Sequence, residues 1–175
     1  DLHSSRRRQR QMCIRDRLQT FDGWCLHTSS PALPELVRIC AKYKIEGYRI
    51  AAWVKPFAAF KRNVPVAYAW EPVFIKPIRK PVVSGRCVLR DWLAEPMTMK
   101  KGLAGAKPVK VVEWVLELAG VVPDDHLTDL FPGTGAVTAA WHDWQRKVNL
   151  SSGQPLVLDP MWDQPKEGQQ RDAVQ

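Results

Sequence analysis

The feature that most constrains the fold is an alternation of short, continuously apolar runs with segments of helical periodicity. "YRIAAWVKP" (48–56) and "AYAWEPVFIKP" (67–77) are largely apolar and stop at proline, as buried strands do. "PALPELVRICAKY" (31–43) and "KPVKVVEWVLELAG" (107–120) instead place apolar residues three and four positions apart, which is typical of helices. Strands that alternate with helices predict an α/β fold with a mainly parallel sheet.

The remaining elements continue this pattern. We expect a short strand within 21–30, a strand at 85–93, a strand that ends at Phe131 and a helix that starts near Gly135. Glycine, proline, glutamine and charged residues dominate 151–175, so a flexible C-terminal tail is predicted there. Residues 18–150 are expected to form the folded domain.

Residues 1–17, "DLHSSRRRQRQMCIRDR", differ from the rest in composition. They hold six arginines, two aspartates and almost no apolar periodicity. A basic arm that contacts phosphates would have this composition. The segment also resembles translated adapter sequence that contaminates the ends of assembled metagenomic reads. We expect the second origin, which makes 1–17 non-native and the rest of the chain an N-terminally truncated fragment.

Charge is divided unevenly along the chain. Residues 18–111 hold sixteen Lys and Arg against six Asp and Glu, whereas 112–175 hold four against ten. A basic half of this kind predicts a polyanionic partner. The sequence has no apolar run of about 18 residues and no signal-peptide core, so we expect a cytoplasmic chain without a membrane partner. Its four cysteines form no C-x-x-C pair, and no metal site is expected.

The stretch "DLFPGTGAV" (129–137) has the composition of a ligand-binding turn between a strand and a helix. Gly133 and Gly135 permit positive φ and a close approach of a ligand to the backbone. The free N–H groups of the helix that follows add partial positive charge. Asp129, at the expected strand end, is placed to fix the loop or to accept a hydrogen bond. A purely structural glycine turn would have the same residues, and the dinucleotide pattern is not met because Thr138 replaces its third glycine.

A longer stretch, "KGLAGAKPVKVVEWVLELAGVVPDDHLTDLFPGTGAV" (101–137), resembles the cofactor half of amino-methylating DNA methyltransferases of the permuted motif order, from phage or bacteria. The resemblance extends over about 18–149. It implies a Rossmann-like methyltransferase fold, here incomplete, and S-adenosylmethionine as cofactor. It further implies that Phe131 contacts the cofactor, that Gly133 and Gly135 admit it, and that Thr134 hydrogen-bonds near its amino-acid moiety. Lys107 and Pro108 would shape the opposite wall.

The catalytic tetrapeptide of that family, a polar residue followed by Pro-Pro and an aromatic residue, is absent. No Pro-Pro occurs in the chain, and "LDPMW" (158–162) has Met161 in place of the second proline. We therefore assign no catalytic residue and expect an inactive fragment that carries the cofactor-binding half. The single carboxylate of Glu71, on a strand and followed by proline, is expected to be a structural hydrogen-bonder.

The resemblance implies methyl transfer to an exocyclic amine of a DNA base, with adenine favoured over cytosine. Double-stranded DNA is then the expected polyanion, because the enzyme must hold phosphates around an extruded base. Its predicted contacts cluster in the basic half: Lys55, Lys61, Arg62, Lys76, Arg79 and Lys80. Two other functions stay open, a non-catalytic nucleic-acid-binding module and a methyltransferase that acts on a small molecule.

Overall fold

The structure is a computed structural model that describes residues 18–57, 63, 65–81, 88–98 and 106–150. In chain order the elements are β1 (Trp24–His27), a 3-10 turn (Ser30–Ala32), α1 (Leu33–Lys42), β2 (Arg49–Val54), β3 (Trp70–Lys76), β4 (Trp92–Ala94), α2 (Val109–Ala119) and α3 (Ala136–Leu150). The helices predicted near 31–43, near 107–120 and after Gly135 are confirmed, as are strands within 21–30, 48–56 and 67–77. The predictions on 1–17, on 151–175, on Lys61 and on Arg62 lie outside the described residues.

The sheet formed by the described strands has the order β1–β3–β2–β4 and is mixed. β3 runs antiparallel to β1 and to β2, and the β2–β4 pair is parallel. The prediction of a Rossmann-like, mainly parallel sheet is therefore wrong. It relied on the alternation of strand-like and helical segments, but no helix separates β2 from β3 among the described residues. The apolar runs themselves report how many faces of a strand are covered and carry no information on its direction.

Both faces of β3 are covered, and this explains its apolar run. Phe74 packs in a cluster with Leu36 and Ile39 of α1, whereas Val73 and Ile75 point to the opposite face and pack with α2. Successive side chains of a strand alternate between faces, so cover on both sides requires apolar residues at consecutive positions. An antiparallel strand between two layers meets this requirement as well as a parallel one.

Two further strand predictions need correction. The described residues between α2 and α3 include no strand, so the strand expected to end at Phe131 is not formed. A strand needs a neighbour for its backbone N–H and C=O groups, and this segment pairs with neither edge of the described sheet. Of the strand expected at 85–93, the described residues form a strand only at Trp92–Ala94, and 82–87 lie outside the described residues.

Helix α2 is apolar on nearly all sides because it lies between two layers. Val111, Trp114, Val115 and Leu118 pack on the sheet, and Val112 and Leu116 pack on Ala140, Trp141 and Trp144 of α3. The helix ends at Gly120, which has a φ of +66°, as expected for a glycine stop. The Gly120 carbonyl accepts a hydrogen bond from Arg79 at 2.8 Å, so the segment after β3 is fixed against the end of α2.

Candidate functional site

Four ionisable side chains and one indole meet at one end of the sheet. His27 ends β1, Lys55 follows β2, and Glu71 is the second residue of β3. Because β3 is antiparallel to both neighbours, its start lies beside their carboxyl ends, and Trp53 is directly opposite Glu71. Lys107 reaches the same place from the segment before α2. These five residues are called the Glu71 cluster below.

Glu71 binds both lysines of the cluster. Its Oε1 accepts a hydrogen bond from Lys55 Nζ at 2.5 Å, and its Oε2 accepts one from Lys107 Nζ at 2.7 Å. The two ammonium groups lie 4.9 Å and 4.8 Å from the centroid of the Trp53 ring, within the range of a cation–π interaction. Trp53 is itself fixed, since its indole N–H donates to the Glu95 carbonyl at 2.7 Å. The ammonium groups are thus held in place by a carboxylate and an aromatic face.

The pKa shifts within the cluster set its charge. Burial acts to raise the pKa of Glu71, but the hydrogen bonds and charges of Lys107 and Lys55 outweigh it, so this pKa lies below its ordinary value. Burial lowers the pKa of His27 to about 4, with Lys107 adding to the fall and Glu71 opposing it. At neutral pH the carboxylate is therefore charged and the imidazole is neutral. Two ammonium groups face one carboxylate, and the cluster carries one net positive charge.

His27 has an unused polar atom beside this charge. Its Nδ1 is buried and has no hydrogen-bond partner within the described part of the chain. The nearest carboxylate oxygen, Oε2 of Glu71, is 3.9 Å away, which is too long for a hydrogen bond. The imidazole and the Trp53 ring pack edge to face, with their centroids 6.3 Å apart. A buried polar atom without a partner costs free energy unless a ligand or water satisfies it.

Four members of the cluster, all except Trp53, line a pocket of about 460 Å³. One wall is the polar segment that follows β1, and the other has two aromatic side chains, Tyr68 and Trp70, which are 51% and 40% exposed. The lining consists of His27, Thr28, Ser29, Ser30, Pro31, Lys55, Tyr68, Trp70, Glu71 and Lys107. A volume of this size lies within the range of small-molecule sites.

The predicted cofactor turn forms a second, separate feature. Gly133 and Gly135 have φ values of +50° and +72°, and Gly135 N–H donates to the Pro132 carbonyl at 2.6 Å immediately before α3 begins. Asp129 Oδ1 accepts a hydrogen bond from the Phe131 N–H at 3.0 Å. The other carboxylate oxygen, Oδ2, is buried and without a hydrogen-bond partner in the described part of the chain.

The turn is open toward solvent. A Cβ at Gly135 would have nothing within 4 Å, and one at Gly133 would meet only the Phe131 carbonyl oxygen, at 3.7 Å. The Phe131 ring is 64% exposed, and Thr134 is also exposed. The turn therefore combines an accessible aromatic ring, an acceptor that no described group satisfies and the N-terminus of a 15-residue helix.

The two halves of the predicted cofactor site lie on different features. Lys107 belongs to the Glu71 cluster, and Pro108 is the N-cap residue of α2. None of the residues 129–135 lines the pocket above that cluster. Their joint role around one cofactor stays a prediction.

The predicted DNA contacts are found in different environments. Lys55 is only 8% exposed and bound to Glu71, and Arg79 pairs with Asp125 at 2.5 Å. Lys80 is exposed and Lys76, which ends β3, is half-buried. Of the described members, Lys80 is exposed to solvent, whereas Lys55 and Arg79 each pair with a carboxylate, so contact of these residues with DNA stays a prediction.

Sequence reasoning assigned Glu71 to structure and did not single out His27. Both side chains acquire their surroundings only when β3 folds back between β1 and β2, which the apolar pattern did not predict. The pairing of Glu71 with Lys107 spans 36 positions. An unexpected carboxylate within a strand was the one available signal.

Comparison with protein-family models, with curated proteins and with solved structures finds no match to this chain. Among the described helices, none is both long and apolar enough to cross a membrane. The described residues also include no group of three or more His, Cys, Asp or Glu side chains that could hold a metal ion.

Proposed function

We propose that this chain binds S-adenosylmethionine at the turn 129–135 and serves methyl transfer to an exocyclic amine of a DNA base, adenine rather than cytosine. The turn itself supports this best. Among the described residues, it combines two glycines at positive φ, open space around them and a buried Asp129 oxygen without a hydrogen-bond partner. A buried acceptor of this kind favours a ligand that brings hydroxyl or ammonium donors.

The residues of the turn fit the chemistry of this cofactor. Asp129 Oδ2 accepts a hydrogen bond from a ligand donor, and the N–H groups at the start of α3 attract a carboxylate. The exposed Phe131 ring offers a face to an adenine ring or to a sulfonium cation. When bound, the cofactor supplies an electrophilic methyl group, and these residues hold and orient it.

DNA is the proposed substrate because of the basic half of the chain, in which Lys80 is an exposed member of the predicted contacts. The chain contains no Pro-Pro-aromatic tetrapeptide, so we expect it to bind the cofactor without transferring the methyl group by itself. We place it in the cytoplasm of a bacterial host or phage-infected cell, where this cofactor and DNA occur together.

Equilibrium dialysis with tritium-labelled S-adenosylmethionine tests the proposal. Gly133→Val should abolish binding, because its side chain occupies the space into which the ligand must come. Gly47→Val is the matched control, since Gly47 also has a positive φ and open space around it but lies between α1 and β2. Equal binding by Gly133→Val and Gly47→Val would contradict the proposal.

A non-catalytic nucleic-acid-binding module is the second candidate. It is favoured by the net positive charge of the Glu71 cluster beside the exposed rings of Tyr68 and Trp70. This function predicts that the chain binds oligonucleotides and does not retain labelled S-adenosylmethionine, so the same dialysis experiment separates the two.

A further inference from the structure

We infer that the pocket above the Glu71 cluster binds a nucleotide, with the phosphate at Lys55 and Lys107 and the base against Trp70 and Tyr68. None of the residues 129–135 lines this pocket, so the inference does not rest on the proposed methyl transfer. The ligand class follows from charge, from hydrogen-bond donors and from the aromatic wall.

The charge of the pocket favours an anion. Glu71 compensates one of the two ammonium groups, and the neutral His27 adds no charge. Lys55 is 8% exposed and Lys107 is 23% exposed, so water compensates the remaining positive charge poorly. A phosphate or carboxylate that enters the pocket therefore gains a charge-assisted hydrogen bond in a partly desolvated place.

The hydrogen-bonding groups of the pocket also favour an anion. Each ammonium has three N–H donors, and its hydrogen bonds within the described part of the chain use one of them, in the bond to Glu71. Thr28, Ser29 and Ser30, which carry hydroxyl groups, also line the pocket. Phosphate, with at least two free oxygens, matches an array of many donors and one acceptor better than a neutral ligand does.

The donors are also held in position before a ligand arrives. Glu71 binds both ammonium groups, and the fixed Trp53 ring lies beneath them. A ligand therefore loses little affinity to the ordering of these long side chains. In this arrangement Glu71 is a positioning residue, and the lysines contact the ligand.

The aromatic wall distinguishes a nucleotide from a small inorganic anion. Trp70 begins β3 and Tyr68 precedes it, and both rings remain substantially exposed at the pocket. Stacking of a base on an exposed aromatic ring contributes affinity with little dependence on base identity. A pocket of about 460 Å³ accommodates a base together with its phosphate.

Titration calorimetry with AMP, adenosine and inorganic phosphate tests the inference on the full chain. We expect AMP to bind at least about tenfold more tightly than adenosine, because only AMP brings the anion. Lys107→Met should remove most of that difference, and Trp70→Ala should weaken AMP and adenosine alike. Lys110→Met and Trp92→Ala are matched controls, being an exposed lysine of α2 and an exposed tryptophan of β4.

Two further measurements complete the test. One asks whether the ligand is a free nucleotide or part of a nucleic-acid strand, and the other distinguishes this pocket from the turn 129–135. The first uses a single-stranded tetranucleotide that has internal phosphates only. If it binds more tightly than AMP, the ligand is a nucleic-acid strand; if AMP binds more tightly, the ligand is a free nucleotide. Phe131→Ala should leave AMP binding unchanged. Loss of AMP binding in Phe131→Ala, equal affinity for AMP and adenosine, no binding of AMP or of the tetranucleotide, or an unaffected Lys107→Met variant would overturn the inference.

Discussion

Replacement of Glu71 by glutamine isolates the charge that holds the Glu71 cluster together. Gln has nearly the same shape, so the change removes the negative charge and leaves the packing in place. Lys55, which is 8% exposed, then keeps a buried ammonium group without a counter-ion. Lys107 loses the same partner but is more exposed, at 23%.

The expected loss in the free energy of unfolding follows from how deeply the charges are buried. Removing one partner of a fully buried ion pair costs roughly 3–5 kcal/mol, because the other charge is left without compensation. Glu71 is 25% exposed, and the glutamine oxygen still accepts one hydrogen bond, so we expect a loss of about 2–3 kcal/mol in the free energy of unfolding. At roughly 3–4 °C per kcal/mol for a domain of this size, the melting temperature should fall by about 6–12 °C.

Urea denaturation followed by tryptophan fluorescence measures this loss. Glu35→Gln is the matched control, since Glu35 pairs with Arg38 on the exposed side of α1 and should lose no measurable stability. In a Lys55→Met background, Glu71→Gln should cost clearly less, because the most buried ammonium is gone. If Glu71→Gln is as stable as Glu35→Gln, the ion pairs of the Glu71 cluster do not stabilise the fold.

Three other predictions concern stability and DNA. Burial raises the pKa of Glu117 to about 7, so the folded state binds a proton more tightly than the unfolded state does. The free energy of unfolding should therefore fall as pH rises from about 4.5 to 7. Chemical denaturation across this range should show a smaller decline in Glu117→Gln than in the wild type. Gly120→Ala should lower the melting temperature far more than Gly47→Ala, although both glycines have a similar φ. A Cβ at position 120 would clash with the Arg79 carbonyl oxygen, whereas one at position 47 would meet no described atom. Equal falls in melting temperature would contradict this contact. Lys80→Ala should reduce the salt dependence of duplex DNA binding by about one unit of slope in fluorescence anisotropy, and an unchanged slope would mean that Lys80 does not contact phosphate.

Local structure was predictable where one segment determines its own conformation. The spacing of Leu36 and Cys40 gives α1 an apolar face, and Gly120 at positive φ ends α2 as its residue type indicates. The apolar runs 48–56 and 67–77 contain β2 and β3 because two helical layers cover both faces of the sheet. None of these signals depends on the direction of a strand.

The arrangement of the sheet was not predictable from the same signals. Strand direction depends on which neighbours a strand finds, and an apolar run is equally compatible with both directions. The stretch before Phe131 has the residues of a strand but pairs with neither edge of the described sheet. The candidate pocket was not predictable for the same reason, because Glu71 meets Lys107 only through the antiparallel position of β3.

Calorimetric titration of S-adenosylmethionine into the wild-type chain and into two phenylalanine variants tests the proposed function most directly. Phe131 and Phe57 are equally exposed, at 64% and 62%, so their replacement by alanine should disturb the fold to the same small extent. The proposed function predicts binding by the wild type and by Phe57→Ala, and an affinity about tenfold lower in Phe131→Ala through loss of the aromatic contact with the cofactor. Absence of binding by the wild type, or equal affinities in the two variants, would contradict it.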